Sequence, residues 1–161
     1  MQSLPHTRSC YVCGLQNPLG FQLDLTEDQQ RVETRFRFKP EHCGFPGVVH
    51  GGQITTILDE LMAWAVGVST RQFAYCAELS VRFVRPIAPG VEVIGRGELI
   101  ENKRGRLFLV SARLLNASDE LLAEANGKFL PLPPEGQRAM RSEFIEDPTA
   151  VLGPASSVPA N

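Results

Sequence analysis

Nowhere does the chain hold an unbroken apolar run approaching the roughly 20 residues that a bilayer-crossing helix needs. The N-terminal MQSLPHTRSC also lacks the basic-then-apolar order of a secretory leader, so a soluble, cytoplasmic protein is expected. An excess of either charge is missing as well: 16 Lys and Arg stand against 18 Asp and Glu, a formal net charge of -2. That balance supplies no basic field for a nucleic acid or an anionic membrane surface, and neither is expected as a partner. Cysteine is sparse. Cys10, Cys13, Cys43 and Cys76 are four thiols in 161 residues, too few and too scattered for a disulfide scaffold, and they are read as free thiols. No GxSxG nucleophile turn and no phosphate-cradling P-loop occurs.

What the chain does have is alternation. Val32, Thr34, Phe36 and Phe38 lie opposite Arg31, Glu33, Arg35 and Arg37, the pattern of a strand with one face on a core and one in water. Leu79, Val81 and Phe83 alternate with Glu78, Ser80 and Arg82. Val91, Val93, Gly95, Gly97 and Leu99 share a face on which the two glycines leave room for another element to approach closely. Phe108, Val110, Ala112 and Leu114 form one face of the next strand, and Leu121, Ala123, Ala125, Gly127 and Phe129 one face of the last. Polar turn clusters at 101–105 and 116–119 make these last three strands an antiparallel meander. A weak strand is predicted at 21–25.

One segment reads as a long helix. Over 52–67 the apolar residues Ile54, Ile57, Leu58, Leu61 and Ala65 recur at spacings of three and four, with Met62, Ala63, Trp64 and Val66 on the remaining faces, so the helix should be buried. Two strands, one buried helix and four strands predict an α+β protein of the hotdog type, an antiparallel sheet of five or six strands wrapped around one helix. Residues 1–20 form a head with a CxxCG turn, 21–131 the hotdog domain and 132–161 a tail. Six of the chain's 12 prolines lie in 131–161, which predicts loose order beyond about Leu132, with a short amphipathic turn over 138–145 able to dock.

Residues 40–70 contain no Lys or Arg, yet Asp59 and Glu60 sit in the middle of the apolar helix. A carboxylate there is desolvated unless polar groups from elsewhere meet it, which makes Asp59 a candidate for chemistry or for a polar seam. On the helix surface it neighbours Thr55, a possible pocket wall, whereas Glu60 points about 100° away. Val49-His50-Gly51-Gly52 leads into the helix, whose first amides have no internal partners and can receive an anion or a polarised carbonyl oxygen. Seven residues at about 1.5 Å rise place Asp59 roughly 10 Å along the axis from the Gly52 amide. Either the helix starts later than it looks, or the acid comes from a second subunit.

HCGFPGVVHGGQITTILDE, preceded by CYVCGLQNPLGF and followed by LSVRFVRPI and RLLNASDELLAEANGKF, resembles the hotdog-fold acyl-CoA thioesterases of the phenylacetate-pathway type and their mammalian relatives. The likeness covers roughly residues 10–130. It implies hydrolysis of an acyl-CoA thioester, with Asp59 as nucleophile or general base, Gly51 as the amide that polarises the thioester carbonyl and no cofactor. It also implies a dimer or dimer of dimers with sites at the subunit interface. Several relatives carry an asparagine six residues before the histidine, where this chain has Gly44; that contact is absent or replaced by His42 or His50. A polar residue from the strand after the helix falls near Cys76 or Ala77.

The remaining candidates are expected to bind rather than react. Glu60, Thr55, Gly52 and Cys76 could border the substrate, and Arg85 and Arg104 could meet CoA phosphates, although basic residues in turns are commonly solvated. Cys10-x-x-Cys13 lacks a second ligand pair at zinc-knuckle spacing, so packing at a turn and no metal is expected. A Cys43–His42 or Cys43–His50 nucleophilic pair lacks a third group. Hotdog folds also host hydratase or dehydratase chemistry, and a non-catalytic acyl-CoA binding module would need Asp59 only as a seam residue.

Overall fold

The computed structural model describes residues 1–154. Its strands are β1 (Gln2–Ser3), β2 (Thr26–Asp28), β3 (Arg31–Arg37), β4 (Cys43–Phe45), β5 (Val48–Val49), β6 (Ala74–Phe83), β7 (Glu92–Lys103), β8 (Leu107–Asn116) and β9 (Leu121–Pro131). Its helices are α1 (Gly51–Thr70), α2 (Pro134–Ser142) and α3 (Thr149–Leu152), with a single 3-10 turn at Pro40–His42. Seven strands form one antiparallel sheet in the order β1-β2-β3-β7-β8-β9-β6, and β4 and β5 make a separate ribbon just before α1. This is the α+β hotdog arrangement, with β7-β8-β9 the expected meander. The sheet exceeds the expected five or six strands through the two-residue β1 and the three-residue β2.

The sheet curls around α1 because the alternating faces match it. Val93, Phe108, Val110, Ala112, Leu114, Ala123, Ala125 and Phe129 are buried, and so are Ile57, Leu58, Leu61 and Met62 of the helix. Gly95 and Gly97 do create the close approach: a Cβ on Gly97 would stand 2.5 Å from the Leu61 carbonyl oxygen. α1 runs past the expected end at Gly67 to Arg71, which caps it in the left-handed region at φ 61° and donates its N–H to the Gly67 oxygen. Gly67 lies beside Leu152 of α3, whose Cδ2 would stand 3.6 Å from a Cβ there, an ordinary contact.

β6 carries an irregularity. Cys76 pairs with Phe129 and Glu78 with Lys128, so Ala77 is an extra, unpaired residue, a β-bulge. Ala74 and Cys76 are sheltered before it and Leu79 and Val81 after it, while Ala77 and Glu78 both point outward. The bulge therefore reverses the phase of the strand.

Two expectations differ from the structure. Residues 21–25 are not a strand: Phe21, Leu23 and Leu25 are buried in alternation, but Gln22 has φ 53°, which breaks an extended ladder. Their amides bond to the head, Phe21 N–H to the Tyr11 oxygen and Leu23 N–H to the Val12 oxygen. The tail also departs from loose order as far as it is described. Gln137 of α2 is 3% exposed and acts as a backbone substitute, accepting the Phe73 N–H and donating to the Phe73 and Leu132 carbonyls. Phe144 and Leu152 are buried, Ile145 N–H bonds to the His6 oxygen, and Arg8 N–H to the Glu143 oxygen. Residues 155–161 lie outside the described residues.

Candidate active site

His50 starts the helix. With its backbone extended at φ −64°, ψ 134°, its ring Nδ1 accepts the Gly52 N–H at 2.9 Å, an N-cap built from imidazole. The Gly52 amide, a candidate ligand contact, is thus already occupied. The Gly51 N–H meets no acceptor among the described residues. Gly44 has no side chain for a reason the structure makes plain: a Cβ there would stand 2.7 Å from His50 Cδ2. The ring of His50 occupies the space that a side chain at position 44 would need. His42 is engaged elsewhere, accepting the Lys39 N–H at 3.0 Å and lying 4.4 Å, centroid to centroid, from the Phe21 ring. Burial lowers the His42 pKa.

A cleft of about 490 Å³ opens in front of this helix start, walled by Phe45, Val48, His50, Gly51, Phe83 and Arg85 among others. Phe83 was expected to face the core. Instead it is 52% exposed and its ring tip would lie 3.2 Å from a Cβ on Gly51. Phe45 is 78% exposed. Neither phenylalanine stood out in the sequence, where aromatic residues in strands signal core; their position before and after α1 is the one trace they leave. Arg85 reaches the cleft and pairs with Glu120 at 3.6 Å.

Farther along α1, Thr55 does not present its hydroxyl to the cleft but donates it to the Gly51 carbonyl at 2.8 Å. Asp59 stands eight residues past Gly51, about 12 Å along the axis. Since α1 begins at Gly51, no later start shortens that distance. Asp59 Oδ1 is buried and has no hydrogen-bond partner among the described residues. Burial raises the Asp59 pKa, and the Cys76 thiol beside it opposes that rise in part. The same burial and the Asp59 charge push the Cys76 thiol up to about 11.

Glu60 turns away, as its 100° offset dictates. Its carboxylate accepts the Trp64 Nε1–H at 3.1 Å and the Cys10 thiol at 3.5 and 3.6 Å, and burial pushes it up to about 8. It borders a separate cavity of about 120 Å³ with Cys10 and Trp64. Arg104 lies in the β7–β8 turn, where the adjacent Gly105 approaches Gln72 past the C-terminus of α1. Within one chain it is at the opposite end of a 20-residue helix from Gly51. The structure therefore brings His50, Gly51 and Arg85 together, sets Asp59 with Cys76, and assigns Glu60 and Arg104 to two further places.

Chemically, one chain holds two unmatched halves. An uncommitted amide at a helix N-terminus can polarise a carbonyl oxygen, and a desolvated carboxylate with one oxygen unengaged can attack or accept a proton.

A family model described as Thioesterase superfamily matches residues 46–123. The acyl-coenzyme A thioesterase THEM4 of Bos taurus is 30% identical over 125 residues, 76% of this chain and 51% of the relative. The chain spans about half the length of the curated relatives it matches. Among solved structures, a conserved protein of Pseudomonas aeruginosa is 26% identical with a TM-score of 0.62, over 68% of this chain and 88% of that one. The PaaI protein of the phenylacetic acid degradation operon of E. coli shares the fold at 17% identity and a TM-score of 0.64, over 70% of this chain and 80% of that one. No helix among the described residues is long and apolar enough to cross a membrane.

Proposed function

We propose that this chain, whose residues 46–123 match the Thioesterase superfamily model, hydrolyses acyl-coenzyme A thioesters, the substrate class named for its Bos taurus relative. The observation that carries this is the pair on α1: a free Gly51 amide facing an apolar cleft and a buried, partnerless Asp59 oxygen. During attack the thioester oxygen gains negative charge, and a preorganised amide aimed at it is worth about 2.7 to 4 kcal/mol in comparable sites. The Gly51 N–H takes that role, in the form of a helix N-terminus that needs no reorganisation. Asp59 either attacks the carbonyl carbon or removes a proton from the attacking water. Phe45 and Phe83 hold the acyl chain at the cleft wall, and Arg85 meets a CoA phosphate at its rim.

Twelve ångströms is too far for both groups of one helix to grip one carbon. The working site is therefore assembled by two chains, the Asp59 of one opposite the Gly51 of the other. β6 is the edge that allows this. Among the described residues it pairs on one side only, with β9, and it carries the half-exposed Tyr75 and Phe83. An unpaired edge with aromatic side chains is a surface that a second copy covers.

Release of free thiol from a panel of acyl-CoAs, run beside enoyl-CoA hydration, tests the activity. The expected result is thiol release by the wild type and none by a correctly folded Asp59→Asn protein. Full hydrolysis by Asp59→Asn would reject the acid's role, and hydration without hydrolysis would reject the reaction.

A further inference from the structure

We propose that Cys10, Cys13 and Glu60 hold one zinc ion that clamps the N-terminal head onto α1, with a fourth coordination position open to the adjacent cavity. The donors come from the CxxCG turn and from a helix residue 50 positions later, which is why spacing along the sequence hides the set. One donor atom from each of the three lies within 4.8 Å of the other two. Tetrahedral zinc with Zn–S of about 2.3 Å and Zn–O of about 2.0–2.2 Å separates a sulfur from an oxygen by about 3.5 Å. Cys10 Sγ stands 3.5 and 3.6 Å from the two Glu60 oxygens.

The turn itself is shaped to present sulfur. Val12 N–H donates to Cys10 Sγ at 3.3 Å, and Gly14 N–H to the Cys10 oxygen at 3.0 Å. Gly14 is required for that closure, since a Cβ would lie 2.3 Å from the Cys10 oxygen. An amide aimed at sulfur favours the thiolate, the form that binds metal. Two thiols of the head meet one carboxylate of α1 there, and the basic residues of the head are committed elsewhere. His6 contacts Asp24 and Glu146, and Arg8 bonds the Ser142 oxygen and Glu143. Two thiolates in a tetrahedral set select zinc over magnesium or calcium. The cavity of about 120 Å³, which Cys10 and Glu60 border along with Thr7, has room for a water as fourth ligand.

Metal analysis of the full chain, purified without chelator, is expected to find about one zinc per chain. Cobalt added to the chelator-treated chain should produce thiolate-to-cobalt charge transfer and the intense visible bands of a tetrahedral site. Cys10→Ser and Cys13→Ser should lose the charge-transfer band, Glu60→Gln should weaken cobalt binding about tenfold or more, and Cys43→Ser should retain both metal and spectrum. Should Cys13→Ser fail to fold, the wild-type cobalt titration and the part-buried Glu60→Gln still decide. A chain purified without zinc that gives no cobalt–thiolate band overturns the proposal, as does a Cys43→Ser protein that loses its metal while Cys10→Ser keeps it.

Discussion

At the scale of single residues, the candidate acid is defined by what surrounds it. Asp59 lacks a partner for Oδ1, and burial lifts its pKa above the ordinary value near 4. Since the proposed role needs the carboxylate, protonation silences the site, and kcat/KM should rise with pH through an acid limb displaced upward from that value. The Cys76 thiol works against the displacement, so Cys76→Val removes a group that favours the charged form and moves the limb to still higher pH. Measured pH profiles of both proteins check this; a limb that stays put or moves down in Cys76→Val would contradict it. Asp59 was legible in the sequence because a carboxylate without a basic neighbour on an apolar helix is conspicuous. The cap by His50 and the outward turn of Phe83 were not. An imidazole accepting an amide two residues on leaves no periodic signal, and Phe83 continues the alternation of its strand until the chain departs toward Val84.

Among the elements, the helix-to-sheet contact is the one that composition announced most directly. Gly97 faces backbone, with the Leu61 oxygen 2.5 Å and the Leu61 carbonyl carbon 2.8 Å from where a Cβ would be. Gly97→Ala must push α1 off the sheet and is expected to lower stability by about 1 to 3 kcal/mol, the range for overpacking a tight contact. Denaturant unfolding measures it, and a shift below about 0.5 kcal/mol would mean that the helix yields freely. The five long strands and α1 were legible because each buries one periodic face. The ordered part of the tail was not. α2 is held by Gln137, whose amide satisfies backbone groups of Phe73 and Leu132, a long-range service that no local pattern reveals. Phe21, Leu23 and Leu25 were legible as buried but not as non-strand, since alternation reports which way side chains face and is silent on where the amides bond.

For the molecule as a whole, the separation of Gly51 from Asp59 makes complementation the decisive measurement. Gly51→Pro removes the amide hydrogen at a first helical position that accepts proline well, its ring displacing the Phe83 tip by a few tenths of an ångström, and Asp59→Asn removes the carboxylate. Each alone should be inactive. Co-expressed in equal amounts, half of the dimers are mixed and one of their two sites is intact, so activity should return to about a quarter of wild type. A mixture that stays inactive would place both groups in the same chain's site. The bulge in β6 bears on this assembly in another way. Ala77 is surplus to the pairing with β9, so a chain lacking it would keep every sheltered side chain sheltered, whereas a one-residue loss between Leu79 and Phe83 would turn part of the strand inside out. What the shortened chain would lose is the extra local twist next to Cys76, the residue whose thiol neighbours Asp59. That one alanine marks where the architecture tolerates a length change right beside the proposed acid.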